Sequence, residues 1–161
     1  LVGSEMCIRD SIQTLYLAGV VALTALTLWL PLAHFTAGLE HFDLYAFGLR
    51  DAEGSVVQQT LYLGILAALS CLLGAVAIFL YKRRLLQLRL CIVQMVLLVG
   101  VEVMMAVYYF LSYRFFAAYE FHAQHMRVAI VFPLICLVLD YLAARAIFRD
   151  EVLVRSLDRI R

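Results

Sequence analysis

TLYLGILAALSCLLGAVAIFLYKRRLLQLRLCIVQMVLLVGVEVMMAVYYFL, residues 60–111, decides the fold class of this chain. Two apolar runs flank a short link that carries Lys82, Arg83, Arg84 and Arg89. A transmembrane helix needs about 20 mostly apolar residues, and each run supplies them. Working outward, Ile12–Leu32 and Val128–Phe148 have the same character, which gives four spans at 12–32, 60–81, 90–111 and 128–148. Composition agrees, with 65% hydrophobic and 16% charged residues and a mean hydropathy of +0.93, outside the range of soluble domains. The expected fold is an all-α membrane protein, a bundle of four transmembrane helices.

Lys and Arg placement sets the expected orientation. The KRR link and the segment after span four, with Arg149, Arg155, Arg159 and Arg161, are cationic. The link between spans one and two holds Arg50 beside Glu40, Asp43, Asp51 and Glu53. The positive-inside rule then puts the KRR link and both termini in the cytoplasm. Aromatic belts are expected at Tyr16, Tyr81 and Tyr141 on the inner side and at Trp29, Tyr62, Tyr108 and Tyr109 on the outer. In the first outer link, FDLYAFGLRDAEGSVV places apolar runs on both sides of D-A-E-G, which predicts a small β-hairpin. The tail, 149–161, reads as an amphipathic cytoplasmic helix with Val152, Leu153, Ser156, Leu157 and Ile160 on one side and a Glu151–Arg155 pair on the other. At about a dozen residues it is marginal alone in water, so it continues span four, lies on the inner leaflet or docks on a protein.

The first eleven residues, LVGSEMCIRDS, carry no apolar periodicity, and their back-translation reads as a transposon-based sequencing adapter in frame with the gene. Residues 1–11 are therefore expected to be a non-native scar and are set aside. Without Arg9, Glu5 and Asp10 the chain keeps 12 basic and 10 acidic residues. That balance, with no basic stripe outside the membrane flanks, excludes a nucleic-acid binder. Cys7 goes with the scar. Cys71, Cys91 and Cys136 lie inside apolar segments without C-x-x-C spacing and read as small packing residues.

The I-Q-T-L-Y-L opening of span one, L-Y-A-F-G-L in the outer link, K-R-R-L-L-Q-L-R-L-C between spans two and three, and the closing A-A-R-A-I-F-R-D-E-V-L-V-R-S-L-D-R-I-R together resemble one bacterial family, domain of unknown function 4293. The likeness runs over Ile12–Arg161. Members are four-helix integral membrane proteins that start with Met, one or two polar residues and a basic residue before I-Q-T, a start replaced here by LVGSEMCIRDS. The resemblance implies the fold and a place in the bacterial inner membrane. It assigns no activity.

Glu102, in LLVGVEVMM near the middle of span three, is the sharpest chemical signal. An acid at that depth costs a few kcal/mol on insertion scales, so it faces the bundle interior or carries a proton. Helical spacing puts Gln94, Leu98, Glu102, Met105 and Tyr109 roughly along one face. The functional reading is a proton- or cation-accepting site. The simpler reading is packing glue between helices, worth roughly 0.6–2 kcal/mol. Asp140 in span four is the second intramembrane acid, offset from Glu102 by about 6 Å of depth at 1.5 Å per residue, and is expected near the inner interface within reach of Arg145 or the KRR link. Gln94 is the third intramembrane polar candidate.

Four histidines, His34, His41, His122 and His125, map to the outer side. His122 and His125 at i, i+3 come nearest to a metal pair, but the spacing matches no zinc motif, and no metal is expected. No nucleophile with its base, phosphate-cradling loop or cofactor fingerprint occurs, so neither catalysis nor a cofactor is expected. Gly64, Ala67, Ala68, Cys71, Gly74 and Ala75 make a small-residue face for close helix packing. Pro133 is expected to kink span four near its start. The functional expectation is a scaffold or accessory subunit, with Lys82, Arg83, Arg84, Arg155, Arg159 and Arg161 contacting a protein partner or the inner leaflet. The alternative is a small oligomeric proton- or ion-coupled transporter using Glu102.

Overall fold

The computed structural model describes residues 2–37, 40–80, 83–117 and 122–158, with side chains left out at 2–11, 122, 124 and 154–158. In chain order the elements are helix α1 (Val2–Trp29), strands β1 (Ala33–Ala37), β2 (Glu40–Tyr45), β3 (Gly48–Asp51) and β4 (Val56–Gln59), helices α2 (Leu61–Phe79) and α3 (Arg84–Phe116), strand β5 (His122–Met126), a 3-10 turn (Val128–Val131) and helix α4 (Phe132–Asp158). Four helical segments, Ile12–Trp29, Leu61–Phe79, Arg84–Phe116 and Val128–Leu153, are long and apolar enough to cross a membrane. They pack as a four-sided bundle in which α1 and α3 each touch both α2 and α4.

The inward face of α3 repeats at alternating steps of three and four residues: Gln87, Cys91, Gln94, Leu98, Val101, Met105, Tyr108 and Ser112 are all buried. A 3–4 repeat is the seam of left-handed antiparallel helix packing. The residues between, such as Val96, Val99, Val103 and Val107, are exposed. The outward valines leave an apolar surface of the kind a lipid-facing helix presents, while the interior mixes large apolar side chains such as Leu98 and Met105 with small and polar ones.

The link between α1 and α2 is built more fully than a hairpin. Its four strands and β5, which comes from the connection between α3 and α4, form one antiparallel sheet in the order β4-β3-β2-β1-β5. The D-A-E-G turn is present: Gly54 N donates to Asp51 O at 2.8 Å, and Gly54 has φ +82°. That left-handed conformation is the one glycine adopts without strain. The fold is thus a helical bundle with a small open sheet at one end. One face of β1 and β2 (Ala33, Phe35, Phe42, Leu44) is buried on Phe116 from the last turn of α3, with ring centroids 5.4 Å apart for Phe35–Phe116 and 4.8 Å for Phe42–Phe116. This explains why α3 has 33 residues, or about 50 Å at 1.5 Å per residue, against a hydrocarbon core of about 30 Å. Its final turns carry the sheet.

Thr60 and Gly64 fasten the sheet to α2. Thr60 Oγ1 donates to Tyr45 O (3.1 Å) and Ala46 O (3.0 Å). A Cβ at Gly64 would run into the ring of Phe47 from the β2–β3 turn. At the opposite end, the buried Gln13 amide nitrogen donates to Asp150 Oδ2 and joins α1 to α4.

Several expectations are corrected. Tyr108 is buried in the bundle core, so it belongs to the interior rather than an outer belt; Tyr109 is half-buried and packs on Phe35 with centroids 5.6 Å apart. Trp29 and Tyr62 are exposed, as a belt requires; Tyr81 lies outside the described residues. Pro133 is the second residue of α4. A proline in the first turn gives up a backbone donor that has no intrahelical partner there, so it starts the helix instead of kinking it. The backbone after span four continues α4 unbroken to Asp158, which is the first of the three arrangements open to the tail: up to that residue it extends the span.

Candidate functional site in the bundle core

Gln94 is fully buried on the inward seam of α3. Its Nε2 donates to Ser70 O on α2 at 3.3 Å, and its Oε1 has no hydrogen-bond partner. Room for this side chain comes from Gly74: a Cβ there would lie 2.7 Å from Gln94 Nε2 and 2.9 Å from Val21 Cγ2. The small-residue face of α2 thus serves the polar centre as well as helix approach, with Gly64, Ala67, Ser70, Gly74 and Ala77 turned inward. Ala68 is exposed and Cys71 half-buried.

Asp140 is the more deeply placed of the two acids. It is fully buried, and neither carboxyl oxygen has a hydrogen-bond partner. The Cys91 and Cys136 thiols lie close enough to interact with it. The expected approach to Arg145 does not occur. Five residues along a helix is about 140° around it, so Arg145 faces out while Asp140 faces in. Burial follows angle around the helix here, not distance from the helix end.

Glu102 is half-buried and stands beside the seam, next to Val101. Its Oε1 is buried without a partner. Cys136 lies within electrostatic reach of both Asp140 and Glu102. The predicted row Gln94, Leu98, Met105 is buried; Glu102 and Tyr109 form its half-buried margin.

The other polar groups of the interior turn back on their own helices, reach a neighbouring helix or stay unpaired. Thr24 Oγ1 donates to Val20 O and Thr27 Oγ1 to Leu23 O, both at 2.8 Å. Cys136 Sγ and Cys71 Sγ approach Val20 O and Val21 O at 3.7 and 3.8 Å. Ser70 Oγ and Ser112 Oγ are buried without partners. Thr24, Thr27, Ala67, Ser70, Leu98, Val101 and Pro133 line a narrow gap with no room for a water-sized sphere. A buried carboxyl with thiols as its near neighbours is chemically a place to hold a proton.

The outer histidines fall on the sheet. His34 Nδ1 hydrogen-bonds Asp43 Oδ1 at 2.8 Å, and its ring stacks on His41 at 5.4 Å. His125 is the direct cross-strand neighbour of His34, while the side chain of His122 lies outside the described residues. Among the described residues no group of three or more His, Cys, Asp and Glu side chains is disposed to hold a metal. On the other side of the bundle, Arg83 and Arg84 share a recess with Glu151. Lys82, Arg159 and Arg161 lie outside the described residues, as does the side chain of Arg155. The contacts that sequence reasoning missed, Gln94 on Gly74, Cys91 by Asp140 and Gln13 on Asp150, all join different helices and leave no local signal.

No curated protein matches the chain. The family model described as Domain of unknown function (DUF4293) matches residues 10–160, nearly the whole chain and all four helices, and the chain belongs to that family.

Proposed function

We propose that this is a small proton-coupled transporter of the bacterial inner membrane whose centre is the Asp140 carboxyl, with Gln94 and Glu102 flanking it. The observation that carries the reading is that Asp140 is fully buried with both oxygens unpartnered. An intramembrane acid is costly to insert, and thiol neighbours such as Cys91 and Cys136 repay little of that cost. The emphasis moves from Glu102 to Asp140 because Glu102 is only half-buried. A single bundle with so narrow an interior has no aqueous path, so the working unit is an oligomer in which Glu102, at the margin of the seam, faces a neighbouring copy. Both termini are on the cytoplasmic side in this reading, on the strength of the arginines at that end.

Purified protein in liposomes with a pH-sensitive dye inside tests it. Flux above that of protein-free vesicles, abolished by Asp140→Asn and reduced by Glu102→Gln, is the expected result. Flux equal to empty vesicles, or unchanged in Asp140→Asn, refutes it.

The second reading is an accessory subunit for a membrane or cytoplasmic partner, and the closed interior favours it. Gentle extraction from the host followed by mass spectrometry separates the two. A stoichiometric foreign subunit supports the accessory reading, and a homo-oligomer supports transport.

A further inference from the structure

At the end of the bundle away from the sheet, α1 and α4 part to leave a cleft of about 410 Å³. This lies in the range of about 300–1,000 Å³ usual for small-molecule sites. It is separate from the Asp140 centre and owes nothing to it. Its floor is built: Gln13 and Asp150 are 5% and 7% exposed and hydrogen-bonded to each other. Its lip carries Arg145 and Arg149, one turn apart on α4 and both exposed, with Tyr16 of α1 on the facing side. Ile12, Leu142 and Ala146 make apolar walls.

Depth and charge narrow the ligand. From Val128 to the stretch Arg145–Asp150 is roughly 26–33 Å at about 1.5 Å per residue, and the hydrocarbon core is about 30 Å thick. The cleft therefore opens at the level of lipid headgroups. Two guanidinium groups against one carboxylate leave a single net positive charge among the lining residues, which matches one phosphodiester. Guanidinium forks suit phosphate oxygens geometrically. Asp150 is occupied by the Gln13 amide, which lessens its repulsion of an anion.

We propose that this cleft binds the phosphate of an anionic glycerophospholipid headgroup, with Arg145 and Arg149 on the phosphate oxygens and Tyr16 and Gln13 beside the glycerol. Soluble glycerol phosphate offers the same chemistry, and the experiment separates the two sources. Full-length protein in mild detergent is titrated with phosphatidylglycerol, phosphatidylcholine or glycerol 3-phosphate and read by native mass spectrometry.

Retention of phosphatidylglycerol over phosphatidylcholine, weakened roughly 25-fold in Arg145→Gln/Arg149→Gln, is the expected result, since each basic residue at the surface contributes about a factor of five. Arg145→Lys/Arg149→Lys restores most of it. Binding of glycerol 3-phosphate with the same arginine dependence assigns the site to a soluble phosphate and leaves the cleft intact as a phosphate site. Ala146→Leu, which fills the cleft without changing charge, weakens binding even if the arginine variant fails to fold. Equal loss from Arg89→Gln, outside the cleft, or equal retention of both lipids, overturns the proposal.

Discussion

Gly74→Ala is a one-atom test of the bundle centre. The added Cβ would stand 2.7 Å from Gln94 Nε2 and 2.9 Å from Val21 Cγ2, where carbon contacts ordinarily begin near 3.5 Å. Gln94 and Val21 come from different helices, so relief on one side tightens the other. Overpacking of this kind costs about 1–3 kcal/mol. Pushing Gln94 back also endangers its 3.3 Å bond to Ser70 O, and such interhelical bonds average about 0.6 kcal/mol. Alanine returns up to about 1 kcal/mol over glycine in a helix. The net expectation is a loss of roughly 1–2 kcal/mol. Gly100→Ala is the control: the nearest atom to its Cβ is Leu66 Cδ1 at 4.0 Å, so only the propensity gain of about 1 kcal/mol remains. Thermal unfolding of both variants in one detergent, followed by circular dichroism, should place them on opposite sides of wild type. Gly74→Ala melting at or above wild type, with Gly100→Ala unchanged, would show that Gln94 does not occupy the gap at Gly74.

Asp140→Val removes a buried group with two unpartnered oxygens and should raise stability by about 1–3 kcal/mol while abolishing any proton flux; a destabilised variant would mean that the carboxyl has partners in the membrane. Thr60→Val deletes both hydroxyl donations to the β2–β3 turn and should cost about 1–2 kcal/mol, with proteolysis near Ala46–Gly48 as the readout. Cys91 and Cys136, fully buried, should resist maleimide until the detergent-solubilised protein unfolds, whereas half-buried Cys71 reacts slowly; prompt labelling of Cys136 would break the inward assignment of α4. Asp43→Ala removes the His34 hydrogen bond on a part-exposed sheet face and should change stability by less than about 1 kcal/mol, so a larger loss would show that this pair anchors the sheet.

The four spans were legible because each apolar run is long and bounded by charge. Helix ends were less so. Arg84 and Arg114 both lie inside α3, since a charged residue ends a hydrophobic window without ending a helix. The D-A-E-G turn was legible through its glycine. Strands β1 and β5, AHFTA and HAQHM, were not: five residues of mixed polarity carry no pattern until they pair with each other. The acids show the deeper limit. Depth along a span can be counted from sequence, and it singled out Glu102. Which side of α4 faces inward depends on how the helices pack, and that is what buries Asp140.

The pairing of β1 with β5 has a consequence for how the protein is made. Ala33 pairs with Met126 and Ala37 with His122, so the sheet's last strand is synthesised only after α2 and α3. Chain synthesis runs from the N-terminus, and closing so long a loop is slow compared with local helix formation. Strands β1 to β4 therefore wait with the β1 edge open while α2 and α3 are made. An unpaired edge invites mispairing, and β5 ends that exposure by arriving just ahead of α4. Completion of the sheet thus requires that α2 and α3 have been made and have returned the chain to the sheet's end of the bundle, which makes the order of assembly readable in a few backbone hydrogen bonds.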